Sequence, residues 1–265
     1  MIIQQRFVIS PLPVVVAFLI AVSVGAEPSP TCAPGFGGYS YRLPAFEKGS
    51  RILFQGDSIT DMKRLQRASD RNHYLGHSYV YLIAARLGVA MADKQLDFIN
   101  RGKSGNKVAD LRKRWQEDAI DMKPDVLTIL IGTNDVELGL RKPERAVTPE
   151  AFEADYRALL DASRQVNPKL RLVLMKPFIL QAGRLKGEQV YTTRRAMNDA
   201  LRAVVAKLAQ EYDAVHIKTQ GIFDAAAAEV SAEHWMWDGI HPLPQGHELI
   251  ARHWLQQVSA RWPAD

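Results

Sequence analysis

The stretch Arg51-Ile52-Leu53-Phe54-Gln55-Gly56-Asp57-Ser58-Ile59-Thr60 decides the fold class. A short apolar run closed by turn residues reads as a buried strand, and the Gly56-Asp57-Ser58 that ends it reads as a sharp turn into a helix. The pattern then repeats towards the C-terminus. Apolar runs at 96–100, 126–131, 170–175 and 215–217 are further strand candidates, and helices are expected at 78–87, 107–122, 149–166, 188–212, 221–230 and 244–258. End signals support the third helix: Thr148 can cap a helix that opens at Pro149, and Asn167-Pro168 closes it. Five strands alternating with helices give a parallel sheet in a three-layer α/β/α domain of flavodoxin-like character. In such a domain ligands bind beyond the carboxyl ends of the strands, so chemistry is expected just after them.

A chain of 265 residues holds one sizeable domain of this kind. We place it at 51–262, behind an irregular Pro-, Gly- and Ser-rich lead-in at 27–50. Apolar residues make up 47% and charged ones 24%, which excludes fibrous and disordered classes. The first 26 residues read as a secretory signal peptide: Arg6 precedes an apolar run at 14–24, and Val24-Gly25-Ala26 offers small residues for cleavage. Pro11 and Pro13 interrupt its entry and Glu27 follows, so the run falls short of the roughly 20 apolar residues of a membrane span. A secreted or periplasmic protein without a stable membrane anchor is expected. Cys32 is the only cysteine, so no intrachain disulfide forms, and Ser29-Pro30-Thr31-Cys32 is not a lipoprotein box. The formal charge of +5 falls to about +4 without Arg6, and the basic residues are scattered. Their one cluster, 101–114, also carries Asp110 and suits a solvated helix face, so no nucleic-acid partner is expected.

Four segments follow strand candidates or precede the last helix, and each carries polar residues suited to chemistry. In Gly56-Asp57-Ser58-Ile59-Thr60 the serine sits on a strand-to-helix turn, where a helix N-terminus favours negative charge; the same residues also suit a plain capped turn. The tract Asn100-Arg101-Gly102-Lys103-Ser104-Gly105-Asn106 has two glycines that permit close backbone approach and present amide donors. Gly102-Lys103-Ser104 is not the tail of a phosphate-binding loop, because that loop needs a glycine where Asp97 stands. Gly132-Thr133-Asn134-Asp135 offers an asparagine amide as a neutral donor to an oxyanion, or as an Asx turn. In Trp237-Asp238-Gly239-Ile240-His241-Pro242 the Asp and His are three residues apart, a spacing that lets a carboxylate fix the imidazole tautomer. His73, His77, His216, His234, His247 and His253 read as structural. The six-residue spacing of His241, His247 and His253 does not build a zinc helix, so no metal is expected.

Together and in this order the four segments resemble the SGNH (GDSL-type) hydrolase superfamily, through Ser58, Gly102, Asn134 and His241. The similarity runs from about Arg51 to Val258. Within the superfamily the chain is most similar to small carbohydrate esterases that remove acetyl groups from xylan and xylo-oligosaccharides. The stretches that carry this are ILFQGDSITD, INRGKSGNKVADLRKRWQEDAIDMKPD, IGTNDV, LMKPFIL and MWDGIHPLPQGHELIARHWL. Segments 62–77 and 229–236 depart from the pattern and are placed to line the pocket.

The resemblance implies the SGNH hydrolase fold and a serine esterase without metal or organic cofactor, acting through an acyl-enzyme on acetyl esters of carbohydrate. It implies Ser58 as nucleophile, His241 as general base and acid, and Asp238 as its orienter. The Ser58 and Gly102 amides and the Asn134 side chain would form the oxyanion hole. Asp57 and Trp237 are candidate substrate contacts; Trp235 and Trp237 could offer aromatic faces to a sugar ring, or belong to the core. The competing enzyme reading is a lysophospholipase or thioesterase with the same triad and a longer acyl pocket. Against it, no long apolar insertion is present to form a lid, so short acyl chains are expected. A carbohydrate-binding protein on an esterase scaffold is disfavoured because all four blocks are intact. A homo-oligomer is compatible with the sequence.

Overall fold

The computed structural model describes residues 41–65, 69, 70 and 72–264. The expected signal peptide at 1–26, Cys32 and the lead-in up to residue 40 lie outside the described residues, as do Gln66, Arg67, Ala68 and Arg71 of the 62–77 segment.

Five strands appear where apolar runs were read: β1 (Arg51–Gly56), β2 (Asp97–Asn100), β3 (Val126–Leu130), β4 (Arg171–Met175) and β5 (Val215–Ile217). They form one parallel sheet in the order β2-β1-β3-β4-β5. This is the flavodoxin-like order, with its topological switch point between β1 and β3. Gly56 pairs with Leu130, Leu130 with Met175 and Met175 with Ile217, so the carboxyl ends of four strands lie along one edge of the sheet.

Alternation along the strands splits the core into two layers, because successive side chains leave opposite faces of a sheet. Ile52 and Phe54 of β1 join α2 (Tyr79–Ala90), α7 (Thr219–Glu229) and α9 (Pro244–Arg261) on one face. Leu53 faces the other side, where α3 (Val108–Lys113), α5 (Pro149–Val166) and α6 (Glu188–Glu211) pack. Trp254 of α9 is fully buried, 5.7 Å from the Phe54 ring, and its indole N–H donates to Thr128 Oγ1 of β3 at 3.0 Å. Buried aromatic groups need such a partner for their polar edge.

The expected helix over 149–166 forms with those bounds, and Thr148 Oγ1 accepts the Ala151 amide as its N-cap. The expected helix over 107–122 is instead broken. Helix α3 ends at Lys113, and a π-helical turn at Gln116–Ile120 carries the chain on, with the Asp121 amide donating to Gln116 O. Two helices were not anticipated: α4 (Thr133–Arg141), which begins inside the Gly-Thr-Asn-Asp block, and the single turn α8 (Ala232–Trp235). The described part of the lead-in, 41–50, is irregular apart from one bridge between Pro44 and Pro263, and it buries Phe46 in the core. Among the described residues no helix is long and apolar enough to cross a membrane.

Candidate active site

Ser58 opens α1 (Ser58–Asp61), a one-turn helix that follows β1 directly. Gly56 permits the sharp exit, since a Cβ there would lie 2.5 Å from Leu130 O. Asp57 is the N-cap, and its Oδ1 accepts the Ile59 amide at 2.9 Å. As the first residue of the helix, Ser58 has a backbone N–H with no acceptor in the helix, and none among the described residues.

Residue 241 arrives 183 positions later, on the loop between α8 and α9. That loop is held by Trp237 N donating to His241 O at 2.9 Å and by Leu243 N donating to Trp235 O, with Gly239 at φ +88 allowing the turn. Its result is a short relay. His241 Nε2 lies 2.9 Å from Ser58 Oγ, and His241 Nδ1 lies 3.0 Å from Asp238 Oδ2. Asp238 Oδ1 also accepts the amides of Ile240 at 2.9 Å and His241 at 2.8 Å. Partial burial disfavours its charge, but the His241 side chain and these amides outweigh that, holding Asp238 well below the usual carboxylate range. An ionised carboxylate on Nδ1 fixes the tautomer that leaves Nε2 free to take a hydroxyl proton.

Arg184 adds a contact that sequence reading missed: its Nε is 3.2 Å from Asp238 Oδ2. It comes from a 3-10 turn, Gly183–Leu185, after β4, which lies against the Trp237–Asp238 backbone so closely that a Cβ on Gly183 would be 2.5 Å from Asp238 Cα.

The block after β2 does not match expectation at Gly102. Its amide donates to the Asn100 side chain at 2.9 Å and is therefore not free for an oxyanion. Gly102 is a glycine for a different reason: a Cβ there would lie 2.5 Å from Asp61 N, so the loop and α1 touch backbone to backbone. Three residues on, Gly105 sits at φ +80 in a turn closed by Asn106 N donating to Lys103 O at 3.1 Å. Its own N–H has no acceptor among the described residues. Asn134, in the first turn of α4, donates one Nδ2 hydrogen to Asn106 O at 3.2 Å and keeps the other.

The two expected substrate contacts fare differently. Asp57 is 2% exposed and engaged in capping, so the expectation of direct contact is corrected: burial leaves it no face towards a substrate and pushes its carboxyl up to about 6. Asp135, beside Asn134, is also buried and pushed up to about 7 by burial, its oxygens 3.3 and 3.4 Å from the Val108 amide. Trp237 is 70% exposed, its ring 6.2 Å from that of His241. Trp235 is core, with its indole N–H donating to Ala226 O, so it offers no face to a sugar. His247 is buried, accepts the Tyr79 amide on Nδ1 at 3.3 Å and is held neutral by burial, with its pKa pushed down to about 3. No cluster of His, Cys, Asp or Glu among the described residues is arranged to hold a metal ion.

A family model described as GDSL-like lipase/acylhydrolase matches residues 54–249, which includes all four blocks. The chain belongs to that family. It is 33% identical over 220 residues to the acetylxylan esterase of Geobacillus stearothermophilus, covering 81% of this chain and 96% of that one. A crystal structure of the same esterase aligns with a TM-score of 0.70 at 31% identity, over 80% of this chain and 95% of that one. An α/β hydrolase from the metagenome of Lake Arreo aligns with a TM-score of 0.70 at 30% identity, over 81% and 97% of the two chains. Three structures of the Geobacillus enzyme are catalytic mutants, at a serine, an aspartate and a histidine, the last two three positions apart. The family and its relatives make this SGNH protein a carboxylic ester hydrolase.

Proposed function

We propose that the chain is a serine acetylesterase that deacetylates carbohydrate such as xylan or xylo-oligosaccharides through an acyl-enzyme. The observation that carries this reading is the Ser58–His241–Asp238 relay, with both links at hydrogen-bond length, at the sheet edge where Ser58 N, Gly105 N and Asn134 Nδ2 have hydrogens to give. Ser58 Oγ attacks the acetyl carbonyl carbon while its proton passes to His241 Nε2. The carbonyl oxygen becomes an oxyanion, which the Ser58 amide, the Gly105 amide and the Asn134 side chain stabilise; here Gly105 takes the place first given to Gly102. As the C–O bond to the sugar breaks, His241 returns the proton to the leaving alkoxide, and the acetyl group stays on Ser58. Water then attacks the acetyl-serine, giving its proton to His241, and collapse of the second intermediate releases acetate and restores the Ser58 hydroxyl. Asp238 stays ionised and stabilises the imidazolium in both halves.

The similarity to an acetylxylan esterase supports acetyl as the acyl group and a xylan-type carbohydrate as the leaving group. The exposed Trp237 ring beside His241 gives a sugar an apolar face to stack on. On the sequence signal at 1–26, we further propose that the mature enzyme acts outside the cytoplasm as the single domain 51–262 behind its lead-in. The test is acetate release from acetylated xylan by the wild type and by Ser58→Ala, with organophosphate labelling of the intact protein. Acetate from the wild type alone, with one label on Ser58, is expected. Labelling of another serine would move the site, and hydrolysis of octanoyl esters but not of acetylated xylan would point to a lipid substrate.

A further inference from the structure

We propose that Asp61 and Arg64 are positioning residues that bolt the oxyanion turn to the nucleophile helix. This rests on the triad and oxyanion assignments of the preceding section. Those assignments draw donors from separate pieces of chain, Ser58 N on α1 and Gly105 N on the loop after β2, and both must converge on one oxygen to within a few tenths of an ångström. Neither piece is part of a longer regular element, although backbone hydrogen bonds from Arg101 N to Phe54 O and from Lys103 N to Gly56 O tie the start of the loop to β1. Helix α1 has four residues, and one helical turn is not stable by itself. The loop at 101–107 has no regular structure.

The far end of α1 supplies the joint. Asp61, its last residue, accepts from both the backbone N–H and the hydroxyl of Ser104 on Oδ2, at 3.0 and 2.7 Å, immediately before Gly105. The chain then takes two consecutive left-handed residues that are not glycine, Met62 at φ +33 and Lys63 at φ +60. Such conformations are unfavourable for residues with a Cβ and persist where the surroundings enforce them. They reverse the chain so that Arg64 N donates to Asp61 O at 2.9 Å and the Arg64 side chain, only 7% exposed, reaches back to donate from Nε to Gly102 O at 2.8 Å. Two points of the loop, Gly102 and Ser104, are thereby tied to the C-terminal end of the helix that carries Ser58, by Asp61 within it and by Arg64 just beyond it, in addition to the backbone hydrogen bond from Lys103 N to Gly56 O of β1 at 3.0 Å.

Backbone packing closes the joint from both sides. A Cβ at Gly102 would lie 2.5 Å from Asp61 N, and one at Gly76, where φ is +68, would lie 2.5 Å from Asp61 O. His77 N donates to Met62 O at 3.2 Å, fixing the reversed turn against the 72–77 segment. Asp61 and Arg64 act through the placement of Gly105 and Ser58 and need not touch substrate.

The test compares an aryl acetate with the matching O-aryl thionoacetate, because a hole built for oxygen loses its advantage when the developing anion is on sulfur. In Asp61→Ala and Arg64→Met, kcat/KM for the acetate should fall about 10- to 100-fold, mostly in kcat, as for loss of part of an oxyanion hole. The thionoacetate rate should fall less than about 3-fold, so the ratio of the two drops. Ser104→Ala removes only the exposed hydroxyl link and keeps the test valid if Asp61→Ala does not fold; it should lower the ratio about 3-fold. A parallel fall on both substrates, or an unchanged acetate rate, would overturn the clasp. Asn134→Ala separates the two levels: if it collapses the ratio and the clasp variants do not, only the clasp is lost, and if it leaves the ratio intact, the oxyanion hole itself is misplaced.

Discussion

Replacing Asp57 by Asn should turn a pH-dependent stability into a flatter one. The Asp57 carboxyl is buried under α1, and burial raises its pKa from an ordinary 3.8 to about 6, against the smaller lowering effects of the Ile59 amide and His241. At about 1.4 kcal/mol per pKa unit, that difference amounts to about 3 kcal/mol. Its sign follows from linkage: the folded protein holds the proton more tightly than the unfolded chain, so this contribution is fully present below pH 4. It is lost as pH rises through the window from 4 to 6, where the unfolded chain ionises first, and stays level above it. Asn keeps an oxygen for the Ile59 amide and cannot ionise. Urea unfolding of wild type and Asp57→Asn at pH 4, 6 and 8 measures the effect free of the variant's own constant cost. Because the unfolded carboxyl is already about half ionised at pH 4, the stability of the variant relative to wild type should rise by about 2 kcal/mol between pH 4 and pH 8. A difference that does not change with pH would refute the assignment of a buried, proton-retaining carboxyl at the nucleophile turn.

Asp238→Asn should leave the fold intact and lower turnover by roughly three to four orders of magnitude, because an amide fixes the wrong imidazole tautomer; steady-state kinetics and circular dichroism check both halves. Gly102→Ala should destabilise the protein by more than about 2 kcal/mol, since the new methyl meets backbone that cannot move aside. Gly105→Ala, with open space but φ +80, should cost about 1 kcal/mol, and the two thermal unfolding midpoints should differ accordingly. Trp237→Ala should raise KM for an acetylated xylo-oligosaccharide about 3- to 10-fold while leaving p-nitrophenyl acetate nearly unchanged. In the wild type, kcat/KM for acetyl esters should exceed that for octanoyl esters, and the reverse order would count against a carbohydrate substrate.

The periodic features were legible in the sequence. Strands are short apolar runs and α5 carries a cap and a closing proline, so five strands and the helix at 149–166 follow from local rules. What failed was wherever two readings share one composition. Gly-Thr-Asn-Asp suits a turn and a helix start equally, and α4 was lost to the first. Gly102 and Gly105 lie in one tract, and only their surroundings separate a glycine that excludes a Cβ from one that takes a left-handed turn. Asp57 looked available because it neighbours the nucleophile, yet a capping carboxylate turns back onto its own helix. Trp235 and Trp237 are two residues apart and end in core and solvent. The contacts of Arg184 with Asp238 and of Arg64 with Gly102 had no local signal, because each depends on which loops the sheet order brings together.

The separation of 183 positions between Ser58 and His241 also sets when the site comes into being. Its nucleophile belongs to the first strand and its histidine to the loop that leads into the last helix, whose Trp254 and His247 lock onto β3 and α2. Such long-range closures come late, because the entropy of the enclosed chain must be lost before they contribute. A partly folded or C-terminally shortened chain therefore has the serine without its base. Ester hydrolysis in this protein is a reading of completed folding, and its recovery on dilution from urea should lag behind the return of helical signal.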